Sequence, residues 1–250
     1  MPIAASDIKV FGSATMPDDD TVNNIGGAIS TAIKVDFTDI PASGLVEMSS
    51  SSLADTTQTV TITGRNPAGE IVSETKTLNG TTWVGFTTTF ERILKVVMSA
   101  TAGGTITIRK QTTLETLVTI EPGITQVRRP FYNAVAPATG TRKYYEKVFF
   151  KNTHASLTLT QAQIIEQSDP SGKIAFALEN VLDGSSTNGA GNNRQVAPAG
   201  YVFDSATKNV ANIQNHTSGK AQGVWLEMTL TSTDTPMKTT YTLREAGVTV

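Results

Sequence analysis

The amino-acid sequence predicts an all-β protein, with two β-sandwich or barrel-like domains behind an extended N-terminal arm. Val60 and Ile62 alternate with threonines in the segment 59–63, and this period of two is typical of a half-buried strand. An Asn-Pro-Ala-Gly turn follows at 66–69, and an Asp-Pro-Ser-Gly turn of the same order occurs at 169–172. The recurrence of strand and turn in both halves predicts two domains of similar construction.

The composition excludes several classes of protein. The chain has 250 residues, no cysteine, two histidines and a formal net charge of -2. The absence of cysteine excludes disulfides, thiolate metal sites and cysteine nucleophiles. Because no basic run is longer than a pair such as Arg128 and Arg129, we expect no nucleic-acid partner. No apolar run reaches the ~20 residues that span a bilayer, and the first residues do not resemble a secretion signal. We therefore expect no membrane partner and synthesis in the cytoplasm.

Residues 1–29 are predicted to form the arm. Ile8 and Val10 suggest a short strand, but Pro17, three aspartates and two glycines follow, and this composition disfavours regular structure. The aspartates at 18–20 are not spaced like the ligands of a calcium loop. We interpret them as a solvent-exposed turn.

The first β domain is predicted to span residues 30–130, followed by a linker at 131–142. Its clearest element is the hairpin at 59–80. The apolar residues of 90–97 also fit a helical spacing, so a helix remains an alternative there, although the β-branched neighbours favour a strand. A further hairpin is expected around the Pro-Gly pair at 122–123.

The second β domain is predicted to span residues 143–250. Its first strand, at 143–152, is rich in aromatic residues, which indicates a central strand or a packed interface. The glycine-rich loop at 183–193 is expected to be exposed and mobile. Trp225 belongs to an alternating strand and lies either at a contact surface or beneath a loop. The candidate interface aromatics are Tyr144, Tyr145 and Trp225.

No motif in the sequence predicts catalysis. His154 and His216 stand in polar, turn-like segments without a carboxylate or cysteine at ligand spacing, so we interpret both as surface histidines. Metalloprotease, nucleophile-elbow, phosphate-loop and dinucleotide-binding motifs are absent from the sequence. Glu146, Glu166 and Asp169 could in principle form a glycosidase pair, but any chain with 22 acidic residues offers such pairs. We expect no catalytic residue, no cofactor, no metal site and no enzyme activity.

Several segments together resemble a family of tailed-bacteriophage virion proteins, the capsid decoration or cement proteins. The resemblance runs from about residue 6 to residue 242 and is carried by DIKVFGSATMPDDDTVNNIGGAI, TVTITGRNPAGEIVSETKTLNG, FERILKVV, RKYYEKVFFKNTHASLTL and DPSGKIAFALE. It implies a protein that binds the outside of the major capsid protein shell and stabilises the head. It also implies a location on the virion after synthesis in the bacterial cytoplasm, and it carries over no catalytic residue.

The resemblance implies two partners, the phage major capsid protein and further copies of this chain. A homotrimer is expected because shells offer three-fold sites, and a dimer is the alternative. The arm suggests a mode of binding, in which its apolar residues add a strand to an exposed edge of a capsid sheet. The capsid-binding candidates in the arm are Ile8, Val10, Phe11 and Met16. Two other functions remain open: a tail or head-to-tail component, and a sugar-binding head-fibre module that uses the aromatic residues as its platform.

Overall fold

The computed structural model describes residues 2–235 and 238–249, which form β-strands with very little helix. The strands are β1 (Ile8–Thr15), β2 (Gly26–Lys34), β3 (Val46–Ser50), β4 (Thr59–Arg65), β5 (Ile71–Thr77), β6 (Val84–Gly85), β7 (Arg92–Met98), β8 (Ile106–Lys110), β9 (Thr116–Ile120), β10 (Gln126–Arg128), β11 (Thr141–Asn152), β12 (Leu159–Ser168), β13 (Ile174–Leu182), β14 (Lys208–Asn209), β15 (Ala221–Thr231) and β16 (Thr242–Thr249). The helical segments are a 3-10 turn, Ala5–Asp7, and the single turn α1, Ala211–Gln214. The prediction of an all-β fold is confirmed.

The chain forms two compact units, and the central one differs from the first β domain predicted at 30–130 by one residue at its start and two at its end. The central unit contains residues 31–132, and the terminal unit contains the residues up to 30 together with those from 133 onward. The N-terminal residues therefore share a unit with the second half of the sequence. Most of the segment 131–142, predicted to be a linker, belongs to the same terminal unit.

Two sheets form the central unit. One runs in the order β2 (from Thr31), β10, β7, β4 and β5, and the other in the order β6, β3, β8 and β9. Val60 and Ile62 of the first sheet and Met48 and Ile108 of the second are completely buried. Apolar side chains on one face of each sheet thus form the interior, as in a β-sandwich.

The predicted hairpin at 59–80 is confirmed. β4 and β5 pair antiparallel without a register shift, from Thr59 opposite Thr77 to Arg65 opposite Ile71. In the turn, Gly69 N–H donates to Asn66 O at 2.9 Å, and the Asn66 side-chain oxygen accepts from the main chain as well. Gly69 has a φ of 86°, a left-handed conformation that glycine adopts without steric cost. Asparagine, proline and glycine therefore play the parts predicted for them.

The segment at 90–97 is a strand, as favoured, and not the alternative helix. β7 lies between β10 and β4 in the sheet and pairs antiparallel with both. The hairpin predicted around residues 122–123 is wrong, because β9 belongs to one sheet and β10 to the other. The Pro-Gly turn is present, with Ile124 N donating to Glu121 O at 3.1 Å, but it connects one sheet to the other.

The predicted arm is also wrong, because β1 lies inside a sheet of the terminal unit. The order of that sheet is β13, β15, β11, β1 and the first residues of β2. β1 pairs antiparallel with β11, with Ile8 opposite Asn152 and Gly12 opposite Val148. β11 is twelve residues long and buried along most of its length, so its main-chain groups on both edges need partners. β1 supplies them on one edge and β15 on the other. The second sheet of this unit has the order β14, β12 and β16.

A buried aspartate organises one end of the central unit. Asp55 is 2% exposed and accepts hydrogen bonds from Ser50 Oγ at 2.5 Å, Gly103 N at 2.8 Å and Gly104 N at 2.9 Å. The bond from Ser50 and those from the two main-chain donors hold the pKa of this carboxyl below its ordinary value of 3.8. Asp55 thereby fastens the 102–104 loop to β3.

Replacing Asp55 by asparagine is expected to lower the free energy of unfolding at pH 7 by about 3 kcal/mol, because charge-assisted hydrogen bonds are lost. A carboxyl whose pKa is depressed by folding contributes stability above its unfolded pKa, and this contribution is lost as the pH falls through the folded pKa. The difference between wild type and variant should therefore shrink from pH 5 to pH 3 in urea unfolding. An Asp36→Asn variant, at an exposed position of the same unit, is the control. A difference that stays constant over this range would contradict the role given to Asp55.

Candidate functional site

The four capsid-binding candidates of the N-terminal segment are part of the fold. Ile8, Val10 and Phe11 belong to β1, where Phe11 is buried and the other two are partly buried, and Met16 follows the strand. β1 has a neighbouring strand on each side. The four residues therefore belong to a folded unit and not to a free arm.

The three candidate interface aromatics are buried. Tyr144 and Trp225 are 0% exposed and Tyr145 is 4% exposed. The Tyr144 hydroxyl donates to Val135 O at 2.8 Å, the Tyr145 hydroxyl to Glu227 Oε2 at 2.7 Å, and Trp225 Nε1 to Ser186 Oγ at 3.0 Å. Their rings and polar atoms have partners within the chain, so they form no exposed platform. For Trp225, the alternative of burial beneath a loop is confirmed.

The loop that covers Trp225 includes the segment 183–193, which was predicted to be exposed and mobile. In the structure Asn188 is 3% exposed, accepts from Ile25 N at 2.9 Å and donates to Asn193 O at 2.7 Å. Tyr201, further along the same connection, lies with its ring centroid 6.2 Å from that of Trp225. Gly189 and Gly191 are left-handed, with φ of 99° and 78°, and Asn192 N donates to Gly189 O at 3.2 Å, so these two glycines form a turn within the cover.

A buried ion pair lies beneath this cover. Lys147 and Glu179 are 1% and 3% exposed, and Lys147 Nζ lies 2.6 Å from Glu179 Oε1. The same ammonium donates to the main-chain oxygens of Gly27, Gly184 and Ser186 at 2.9, 3.2 and 3.1 Å. Burial lowers the pKa of Lys147, and the bond to Glu179 opposes that shift. Because Lys147 Nζ already has these four acceptors within the chain, the ion pair stabilises the loop and is not available to bind a substrate.

A second buried cation holds other segments of the terminal unit. Arg194 is 1% exposed, and its guanidinium donates to Asp20 Oδ1 and to Asn133 O, both at 2.7 Å. Its Nη1 lies 3.7 Å from Glu146 Oε1. The acidic triplet is therefore only partly the solvent-exposed turn that we predicted. Asp19 does accept from Thr21 and Val22 as a turn residue, but Asp20 forms an ion pair.

One of the two histidines differs from prediction. His216 is completely buried, with Nδ1 at 2.5 Å from Glu245 Oε1 and Nε2 at 2.9 Å from Lys220 O. The surface interpretation is thus wrong for His216, because β16 brings a carboxylate from far along the sequence. His154 is partly exposed, and its Nδ1 accepts main-chain hydrogen bonds from Ser156 and Leu157. Both rings serve the local structure.

The central unit carries an exposed aromatic residue that sequence analysis missed. Trp83, directly before β6, is 36% exposed, and the guanidinium carbon of Arg109 lies 3.4 Å from the centroid of its ring. Nε and Nη2 of Arg109 both lie 2.7 Å from Glu47 Oε1, in the adjacent strand. We call Trp83, Arg109 and Glu47 the Trp83 patch. One signal was available, since Trp83 is one of only two tryptophans in the chain.

The terminal unit has an open, amide-lined cavity of about 430 Å³. Its lining residues are Gln161, Gln163, Ile213, Gln214 and Asn215. Asn212, Ile213 and Gln214 are left-handed, with φ between 54° and 61°, and Ile213 is 92% exposed. Left-handed backbone costs roughly 1–2 kcal/mol per residue outside glycine, so the turn is held in place by its surroundings. A main-chain bond from Gln214 N to Val210 O at 3.1 Å closes it.

Within the described ranges, no three histidine or acidic side chains lie close enough together to hold a metal ion. The helical segments of the same ranges are too short to cross a membrane.

Comparisons with known proteins give little further information. No family model matches the chain, and no curated protein matches it significantly. One solved structure with a match is the VP2 subviral particle of infectious bursal disease virus. That match has 10% identity, covers 100% of this chain and 68% of that chain, and has a TM-score of 0.13. With so low a TM-score, it supports no inference about fold or function.

Proposed function

We propose that this protein is a capsid decoration protein of a tailed bacteriophage, which binds the outside of the major capsid protein shell and stabilises the head. The resemblance of its segments to that family supports the location on the particle. The Trp83 patch is the observation that supports a role in protein binding. Because the predicted arm is part of a sheet and the predicted aromatics are buried, we expect the contact at this patch instead.

The Trp83 patch has the properties of a binding hot spot. Tryptophan and arginine are enriched among the residues that contribute most to protein interfaces. Arg109 is already fixed against Glu47 and stacked on the ring, so little side-chain entropy remains to be lost on binding. The exposed part of the Trp83 ring can still be buried by a partner. Many such contacts over a repeating shell would add up to tight attachment.

The same geometry favours a protein partner over a sugar. A sugar platform needs a bare aromatic face, and Arg109 occupies one face of Trp83. The residues predicted for a sugar platform are buried.

Replacing Trp83 by alanine is expected to weaken binding to empty shells of the cognate phage about 100-fold, the effect of losing a hot spot of about 3 kcal/mol. Sedimentation of protein with shells measures the affinity, and the melting temperature of the shells measures their stabilisation. Leu53→Ala is the matched control, because Leu53 is exposed and lies in the same unit. Unchanged shell binding by the Trp83 variant would overturn the proposed contact.

The position on the particle needs a separate measurement. A decoration protein is present in hundreds of copies, whereas a tail or head-to-tail component is present in few. Quantifying the protein in purified virions against the major capsid protein separates these two functions. A low copy number would overturn the decoration role even if Trp83 bound another virion protein.

A further inference from the structure

β5 forms an open edge of the central unit. It pairs with β4 on one side and stands last in the order of its sheet. No other strand of the described residues lies beyond it. The β4–β5 register has no bulge and neither strand contains proline, so two of the devices that block an edge are missing. The charged residues of β5, Glu74 and Lys76, pair with each other within the chain. Such an edge can hydrogen-bond to another strand.

The main-chain groups that point outward from this edge can be identified. At the two ends of the hairpin, Asn66 N donates to Glu70 O and Leu78 N donates to Gln58 O, both at 2.9 Å. Hydrogen-bonded pairs alternate along an antiparallel ladder. The even-numbered residues of β5 are therefore bonded to β4. The residues whose N–H and C=O groups point away from the sheet are Ile71, Ser73, Thr75 and Thr77.

We infer that two copies of this chain associate through β5, antiparallel about a two-fold axis at Thr75. Thr75 then faces its own symmetry mate, and Ser73 faces Thr77 of the second copy. All of these residues point their main-chain groups outward, so each pair exchanges two hydrogen bonds. The two sheets become one continuous sheet across the axis.

The charges of β5 favour this register. In this register Glu74 of each copy lies opposite Lys76 of the other copy, so the axis creates two such pairs. Both pairs are at non-hydrogen-bonded positions, where cross-strand side chains are closest. A shift that centres the axis on Glu74 or on Lys76 would set each of those charges against itself. Within one chain, Lys76 Nζ already lies 3.1 Å from Glu74 Oε1. Four side chains of alternating charge would thus meet around the axis.

The Glu74 side chain is fixed in place and ionised, as a contact with a cation requires. Its carboxylate accepts from Thr87 N at 3.0 Å and from Thr88 N at 2.8 Å. Burial disfavours its ionisation, but the bonds from Thr87 and Thr88 outweigh burial and lower the pKa of Glu74 to about 2. The opposite face of the hairpin carries hydroxyl pairs, with Thr61 and Thr75 at 2.8 Å and Thr63 and Ser73 at 3.2 Å. The two-fold axis would continue this row of hydroxyls into the second copy.

This association does not depend on the proposed shell contact, which uses other residues. It favours the dimer over the trimer among the assemblies considered from the sequence. A dimer would also present two Trp83 patches to a shell, which raises the effective affinity.

A cysteine at the axis tests the inference in a chain that has no cysteine of its own. In Thr75→Cys the two thiols would lie on Cα atoms about 5.5 Å apart, within the range of a disulfide. We expect rapid formation of a covalent dimer under mild oxidation. Ser73→Cys alone should form little dimer, but mixed with Thr77→Cys it should form the mixed dimer. These positions are exposed, so the variants should fold.

The charge pairs are tested separately by sedimentation equilibrium. Lys76→Glu should raise the dissociation constant of the dimer about tenfold or more, since it places like charges opposite each other, and Lys76→Arg should leave it nearly unchanged. A chain that stays monomeric at its highest soluble concentration would overturn the inference. So would a dimer that Thr75→Cys does not cross-link.

Discussion

Replacing Lys147 by methionine is expected to lower the free energy of unfolding by about 3–5 kcal/mol, because it leaves the buried Glu179 carboxylate without its cation. The main-chain oxygens of Gly27, Gly184 and Ser186 would each lose one hydrogen bond at the same time, and Ser186 O would keep the bond from Gly27 N. Urea unfolding followed by circular dichroism measures the change. In the same experiment, loosening of the cover over Trp225 should shift its fluorescence to longer wavelength.

A double substitution separates the charge from the packing. Lys147→Met with Glu179→Leu should be less destabilising than the sum of the two single changes, because no unpaired charge remains in the interior. Recovery of stability should be incomplete, since the main-chain oxygens do not regain the hydrogen bonds from Lys147. Lys143→Met is the matched control, because the Lys143 side chain is half exposed in its pair with Glu227 and should cost under about 1 kcal/mol. Equal losses for Lys147 and Lys143 would contradict the importance of the buried pair.

Deleting residues 1–24 is expected to prevent the terminal unit from folding. The deletion removes β1 from between β11 and β2, and β11 would then have an edge of unpaired main-chain groups. Each unit contains one tryptophan, so the effect can be assigned. In a Trp83→Phe background, Trp225 alone reports on the terminal unit, and its emission should resemble that of the urea-unfolded chain.

Point variants of β1 provide the comparison. Phe11→Ala should cost about 3 kcal/mol because Phe11 is buried, whereas Lys9→Ala, at an exposed position of the same strand, should have little effect. If the deleted chain kept native Trp225 emission and an unchanged melting temperature, residues 1–24 would be a dispensable arm, as the sequence suggested.

Local chemistry explains the predictions that succeeded. The hairpin at 59–80 needs only an alternating strand and an Asn-Pro-Ala-Gly turn, and both are encoded within a few residues. The turn at Asp169 is similar, with Gly172 N donating to Asp169 O at 3.1 Å. Both turns form as predicted because asparagine and aspartate accept hydrogen bonds from the residues that follow them.

The predictions that failed concern the partner of each strand. The aromatic residues of β11 indicated either a central strand or an interface, and the structure has the central strand, between β15 and β1. Its rings are packed within the chain, with Phe203 5.3 Å from Tyr145 and the Arg194 guanidinium 4.9 Å from Tyr144, measured to the ring centroids. β1 was predicted to be part of an arm because a polar segment follows it. Its pairing with β11, more than a hundred residues away, could not be predicted from the local sequence. The Trp83 patch was missed for the same reason, because its residues come from strands that are distant in the sequence.

The sequence by itself determined that this is an all-β protein, where its clearest turns lie, and that cysteine chemistry is excluded. Only the tertiary structure decided which strands pair, which aromatic rings are covered, and which of the two tryptophans reaches the surface. The physical reason is that an alternating strand specifies a buried face but not what buries it. Hydrogen bonds between strands are made by the main chain, which is the same in every residue but proline, so the sequence of one strand says little about its neighbour.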